Sequence, residues 1–301
     1  MKAGKLIVAC VFVFALTQTI IGAKAWVHGS IIYQGIAATR GHRANTLNPA
    51  WTQFMSRTGH FARANMSSVQ ILVPNFYWTG GGSGDQGSGA NATITASVEY
   101  PQGTCTQITF SGSASGTIQN SGTFTLLSDA VTISIPANAQ FWIRQFWQGA
   151  SGTIYSSTAD PANMGDAAKG AASGLSDQTI SCGAITSPVS SAALYPLAII
   201  APIAVPSVCI VGDSIAYGLN DIYSNASGDL GIVARSIGPQ FGYSDLSGDG
   251  GGAFCWTNAG PTGQCLQILG RVVFPYCSHA IIEFGHNDFA SESATTATLQ
   301  I

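Results

Sequence analysis

Two short polar groups in the last third of the chain have the residue types that chemistry needs: Gly212-Asp213-Ser214-Ile215 and Gly285-His286-Asn287-Asp288. The Ser214 hydroxyl becomes a nucleophile once a base takes its proton. The bland alternative is that Ser214 only caps a turn or helix. Placement argues for more than that. The group that contains Ser214 directly follows the apolar run Val208–Val211, and the group that contains Asn287 follows Ala280-Ile281-Ile282 after two residues. Two parallel strands would deliver both residues to one crevice at their carboxyl ends. Asp213 and Asp288 are expected to organise their loops through backbone hydrogen bonds. His286 adjoins Asn287, but neighbours in an extended segment point apart. His279 precedes a strand, and His28, His42 and His60 have no motif around them.

The elements around these groups suggest an α/β arrangement. Val208–Val211 and Ala280–Ile282 are continuous apolar runs, as in strands buried on both faces. Leu230, Val233 and Ile237 share one helix face, and Gly238-Pro239 stops that helix. Leu266, Leu269 and Val273 repeat the spacing. Strand, helix, link, helix, strand is the order of a parallel sheet.

Residues 208–218, VCIVGDSIAYG, resemble the first block of the SGNH (GDSL-type) hydrolases. Residues 282–288, IEFGHND, resemble the block containing G-x-N-D, and Ser247–Gly250 resembles the glycine block between them, with other registers open at Gly251 and Gly252. The resemblance covers about residues 200 to 290. It implies a partial flavodoxin-like α/β/α domain with esterase, lipase or acetylesterase chemistry. Ser214 would form an acyl-enzyme, and the oxyanion would be held by the Ser214 and Gly248 N–H groups and the Asn287 amide. Each such donor is typically worth about 3–4 kcal/mol of barrier. The family carries its base and orienting acid in an Asp-x-x-His block, and none follows Asn287 here. The resemblance therefore implies that the triad Asp and His lie beyond Ile301, and that this stretch is inactive alone.

The remainder sets the context. Lys2 and Lys5, the apolar run Leu6–Leu16 and Ala23-Lys24-Ala25 form an export-signal pattern, expected to be cleaved after Ala25. The expected location is secreted or periplasmic, with no stable membrane span left after cleavage. Residues 26 to about 65 read as a polar arm. From Ser68 onward, short β-branched runs separated by turn residues indicate an all-β sandwich or jelly roll. Gly80–Gly89 reads as a flexible loop. Trp78, Trp142 and Trp147 read as core aromatics, with a sugar-stacking platform as the alternative. Ser187–Pro206 reads as a connector. The expected division is a signal at 1–25, an arm and β domain at 26–200, and the partial hydrolase domain at 201–301.

An exported chain can oxidise its cysteines. Cys255 with Cys265 is the first expected bridge and Cys105 with Cys182 the second, while Cys209 is expected as a free buried thiol. No Cys/His ligand spacing occurs, so neither metal nor other cofactor is expected. Charged residues make up only 8% of the chain and the net charge is −3, with no basic cluster, which excludes nucleic acid as a partner. The expected partner is an ester substrate, with an acetylated polysaccharide as the candidate. The competing reading is a secreted, non-catalytic carbohydrate-binding or adhesive protein with a degenerate hydrolase domain.

Overall fold

In the strand Met66–Pro74, Val69, Ile71 and Val73 point to one face and Leu72 to the other, and all four are buried. A strand with two buried faces belongs in the middle of a stack, and that is its place. The computed structural model describes residues 31–48, 50–79, 84–157, 164–188, 192–221, 224–253 and 269–290. The described residues from Ile32 onward belong to one structural unit.

The middle sheet is antiparallel and runs Tyr33–Ile36, Ala198–Ile203, Met66–Pro74, Thr125–Leu127, with Val131–Ile135 also paired to Met66–Pro74. One of its faces packs on a second antiparallel sheet. That sheet runs Ser115–Ile118, Ala92–Glu99, Gln140–Gln148, Gln53–Phe61, Ala167–Ala171, with Cys105–Ile108 beside Ala92–Glu99. Between them Val69, Ile71, Val73, Ile199 and Ala201 meet Phe54, Ile94, Val98, Phe141 and Ile143. The other face presents Ile36, Leu72, Ala198 and Ile200 to Cys209, Val211 and Val273. Cys209 and Val211 lie on a third, parallel sheet in the order His279–Glu283, Ser207–Gly212, Gly242–Asp245, Gly41–His42. Its far side, with Val208, Ile210 and Tyr243, carries the short helices Ser214–Tyr217 and Ile232–Ile237 through Ala216 and Ala234.

This overturns the expected fold class. Strand far exceeds helix among the described residues, and they form no flavodoxin-like α/β/α domain. The parallel strands exist, but a β-sheet covers one of their faces where that fold would place helices. The helices are also too short to make a layer. Ile232–Ile237 has six residues, and Leu269–Tyr276 is a 3-10 helix with Pro275 inside it. Proline removes a backbone donor and clashes with the preceding turn, so a longer α-helix is blocked there. His279–Glu283 is not buried on both faces either: Ile282 is 71% exposed.

Two segments without an evident period prove structural. The polar arm supplies Tyr33–Ile36 and Gly41–His42 to two different sheets. The expected connector contains Ala198–Ile203, a fully integrated strand of the middle sheet. The Gly-rich loop ends in the strand Gly84–Gly87, which forms a hairpin with Phe76–Thr79. Trp78, Trp142 and Trp147 are all buried, in keeping with core roles.

Cys105 and Cys182 form a disulfide with Cα atoms 5.7 Å apart. Cys209 is not a free thiol. It is bridged to Cys277, also with 5.7 Å between Cα atoms, which ties the central parallel strand to the end of the 3-10 helix. Cys255, Cys265 and the export-signal pattern lie outside the described residues.

Candidate functional site

The strand Ser207–Gly212 is central in the parallel sheet, with His279–Glu283 on one side and Gly242–Asp245 on the other. All three end at the same edge, so their following loops emerge together. Direct bonds join them. The Gly248 N–H donates to Gly212 O at 3.1 Å, and the Asp213 N–H donates to Glu283 O at 3.2 Å. The Asn287 side-chain amide donates to Gly251 O at 2.8 Å. The fold thus brings the loops bearing Ser214, Gly248 and Asn287 into one connected cluster.

Ser214 is the first residue of its helix, a position where the backbone N–H has no intrahelical partner. Asp213 is the cap: its side chain accepts from the Ile215 N–H at 2.8 Å. Gly218 closes the helix in the left-handed conformation at φ 77°, which a glycine adopts without strain. Ser214 is half-buried and Asp213 is buried. Asp288 has the same loop-organising part, its carboxylate accepting from the Ala253 N–H at 3.1 Å.

Gly248 is needed for a reason the sequence did not disclose. A Cβ there would collide with Arg43 Nη2 and lie 2.6 Å from Trp78 Nε1. Arg43 lies over the Trp78 ring, 4.3 Å from its centroid, and forms an ion pair with Asp85 at 2.8 Å. The Trp78 indole donates to Asp249 O at 2.7 Å. The Asp85 carboxylate also accepts from the Gly270 N–H at 3.3 Å. Arg43, Trp78 and Asp85 therefore clamp the glycine loop from the antiparallel side. Burial lowers the Arg43 pKa, and the charges of Asp85 and Asp245 oppose that shift. Sequence reasoning missed this cluster, because its members stand in an arm, a strand and a Gly-rich loop with no common spacing.

A second polar cluster lies under the Ser214 helix. His42 and Asp245 are register partners on adjacent parallel strands, and the His42 ring is 5.2 Å from that of Tyr217. A small cavity of about 10 Å³ is lined by Arg40, His42, Tyr217, Leu230, Tyr243 and Asp245. That is about the space one water needs. Burial lowers the His42 pKa, with Asp245 opposing, so the ring favours its neutral form.

Among the described residues, the histidine hydrogen bonds go elsewhere than to Ser214. His42 Nδ1 meets Arg43 O at 2.5 Å, His60 lies between Thr58 and Thr39, and His279 meets Ser278. His286 begins the helix His286–Ala290 and is exposed.

The metal-type grouping of Glu99, Cys105 and Cys182 is accounted for by the disulfide. No helix among the described residues is long and apolar enough to cross a membrane.

No protein-family model matches the chain, and no curated protein matches it. Among solved structures it is similar to a carbohydrate esterase family 2 enzyme with a carbohydrate-binding domain from Corynascus thermopiles (Myceliophthora fergusii). Identity is 13% over 84% of this chain and 67% of that one, with a TM-score of 0.21, a likeness too slight to carry an argument.

Proposed function

We propose that the chain is a serine-dependent carboxylic ester hydrolase with Ser214 as its nucleophile. One observation carries the reading: the loops of Ser214, Gly248 and Asn287 converge at the carboxyl ends of three adjacent parallel strands. In the reaction, Ser214 Oγ attacks the ester carbonyl and loses its proton to a base. The tetrahedral oxyanion collapses, the alcohol leaves, and water then hydrolyses the acyl-enzyme. The backbone N–H groups of Ser214 and Gly248 and the Asn287 amide are the proposed oxyanion donors. The Gly248 N–H would have to exchange its bond to Gly212 O for the substrate, whereas the Asn287 amide has a second hydrogen to offer.

The substrate proposed is an acyl ester, with O-acetyl groups on a carbohydrate as the leading candidate. The export-signal pattern supports a secreted or periplasmic enzyme. A fluorophosphonate probe tests the nucleophile. In the full-length protein we expect covalent labelling at Ser214, abolished by Ser214→Ala in a folded variant. Undiminished labelling of that variant would remove Ser214 from the mechanism.

The second reading is a non-catalytic secreted binding protein. It is favoured by the engagement of two of the three proposed donors, the Gly248 N–H and the Asn287 amide, in the protein's own hydrogen bonds. Complete failure of Ser214 to label would support it.

A further inference from the structure

Two carboxyl groups meet beside Ser214. Glu283 is the register partner of Gly212, and the next residue, Asp213, bonds its backbone N–H to Glu283 O at 3.2 Å. One oxygen of Asp213, Oδ1, caps Ile215 at 2.8 Å. The other, Oδ2, is buried without a hydrogen-bond partner, and so is Glu283 Oε2. Two ionised carboxylates offer only acceptors, so neither can satisfy the other. Leaving such groups buried and unpaired is costly. A single proton removes the conflict, because a carboxylic acid donates to a carboxylate and this charge-assisted bond is strong.

We propose that Asp213 and Glu283 share one proton, and that this pair is the positioning device that holds Ser214 at the head of its helix. Its link to catalysis rests on the reading of Ser214 as nucleophile; the pair itself does not. The proton bond fixes the Asp213 carboxylate, Asp213 fixes the Ile215 N–H, and the first helical turn follows.

The electrostatics agree. Burial raises the Glu283 pKa first, followed by the Asp213 charge and side-chain contact, from 4.5 to about 6. The backbone N–H groups of Ala216 and Asp213 oppose this, and Asp213 is the charged group that faces Glu283. A raised folded pKa gives stability that is fully present below 4.5 and is lost as the pH rises through about 6. Above that, Glu283 carries its full charge and repels the Asp213 carboxylate, and the cap on Ile215 loosens.

The experiment follows urea unfolding of the wild type, Glu283→Gln and Asp213→Asn from pH 4 to 8, with the rate of fluorophosphonate labelling measured on the same samples. Each amide can donate to the remaining carboxylate without a titrating proton. We expect the stability of the wild type relative to either variant to fall by roughly 30-fold in folded-to-unfolded ratio between pH 4.5 and about 6, then level off. The relative labelling rate should fall over the same window. Infrared spectroscopy of the wild type, which needs no variant, should show a protonated-carboxyl band lost near pH 6. A stability difference independent of pH, or no such band, overturns the shared proton. Stabilisation of the wild type by added Mg²⁺ or Ca²⁺ that both variants lack also overturns it, in favour of a bound cation. A titrating pair in a protein whose Ser214 never labels would uphold the pair and defeat the esterase reading. Labelling without titration would do the reverse.

Discussion

Asn287 shows how much a side chain's existing partner matters. Its amide donates to Gly251 O at 2.8 Å and so ties the third loop to the second. Replacing it removes both that tie and the proposed oxyanion donor. Under the proposed mechanism, Asn287→Ala lowers kcat by about 100-fold to 1,000-fold with little change in KM, since the donor acts where charge develops. Steady-state kinetics on p-nitrophenyl acetate measures the split. A change confined to KM would make Asn287 a substrate-binding residue. Asn287 and Ser214 were legible because each stands in a short polar group just beyond an apolar run. Arg43, Trp78 and Asp85 were not, because a cation–π contact between distant strands leaves no periodic trace.

At the scale of elements, the glycine loop is held by a hairpin of the antiparallel part. Trp78 is 1% exposed, and its indole bond to Asp249 O is the direct link. Trp78→Phe keeps an aromatic ring, though a smaller one, and leaves that carbonyl without its donor, a loss worth about 1–3 kcal/mol. We expect urea unfolding to show that destabilisation, and labelling of Ser214 to slow as the Gly248 loop loosens. Gly248→Ala should be worse than a simple loop change, because its Cβ would displace Arg43 and the indole. An unchanged Gly248→Ala variant, in both stability and labelling, would show that the clamp does not constrain the loop. The parallel strand Ser207–Gly212 was evident from composition. The helices were overestimated, because a helical spacing of apolar residues says which face is buried but not how many turns form.

At the scale of the whole molecule, buried titratable groups govern acid stability. His60 is fully buried, its Nδ1 meeting Thr39 O and its Nε2 meeting Thr58 Oγ1, both at 2.8 Å. The carbonyl accepts, so Nδ1 carries the proton and Nε2 accepts from the hydroxyl, which defines a neutral ring. Burial first, and then Arg40, depresses its pKa from 6.5 to about 3. The unfolded chain therefore takes up a proton below 6.5 that the folded one refuses until about 3. This stability is present above 6.5 and is lost as the pH falls, at up to about 1.4 kcal/mol per pH unit. Replacing His60 with Gln should flatten the acid limb of the unfolding profile by that amount; an unaltered limb would assign acid sensitivity to other groups.

Glu99 acts in the same direction. Burial raises its pKa, but hydrogen bonds from Arg57 and Arg144 outweigh it and hold the carboxylate at about 2. Glu99→Gln leaves two buried guanidinium groups without their shared counter-charge. A broken buried ion pair costs about 3–5 kcal/mol. Urea unfolding at neutral pH should read that loss, and a near-neutral effect would show that the cluster contributes little to stability.

Local chemistry was within reach of the sequence. Period-two alternation marked strands in the β region, apolar runs marked Val208–Val211, and the residues after those runs marked the candidate site. These features depend on neighbours along the chain, and the chain order displays them directly. What covers each face of a sheet was decided only in three dimensions. Ala198–Ile203 is apolar on both sides, a pattern equally compatible with helices or another sheet as its neighbour. The fold set it between two sheets, so the parallel strands took a β layer where helices were expected. Cys209 likewise found Cys277 across 68 positions, through the packing of a 3-10 helix on the central strand. Layering and long-range pairing arise from which buried faces fit together, and a linear pattern specifies the faces but not their partners.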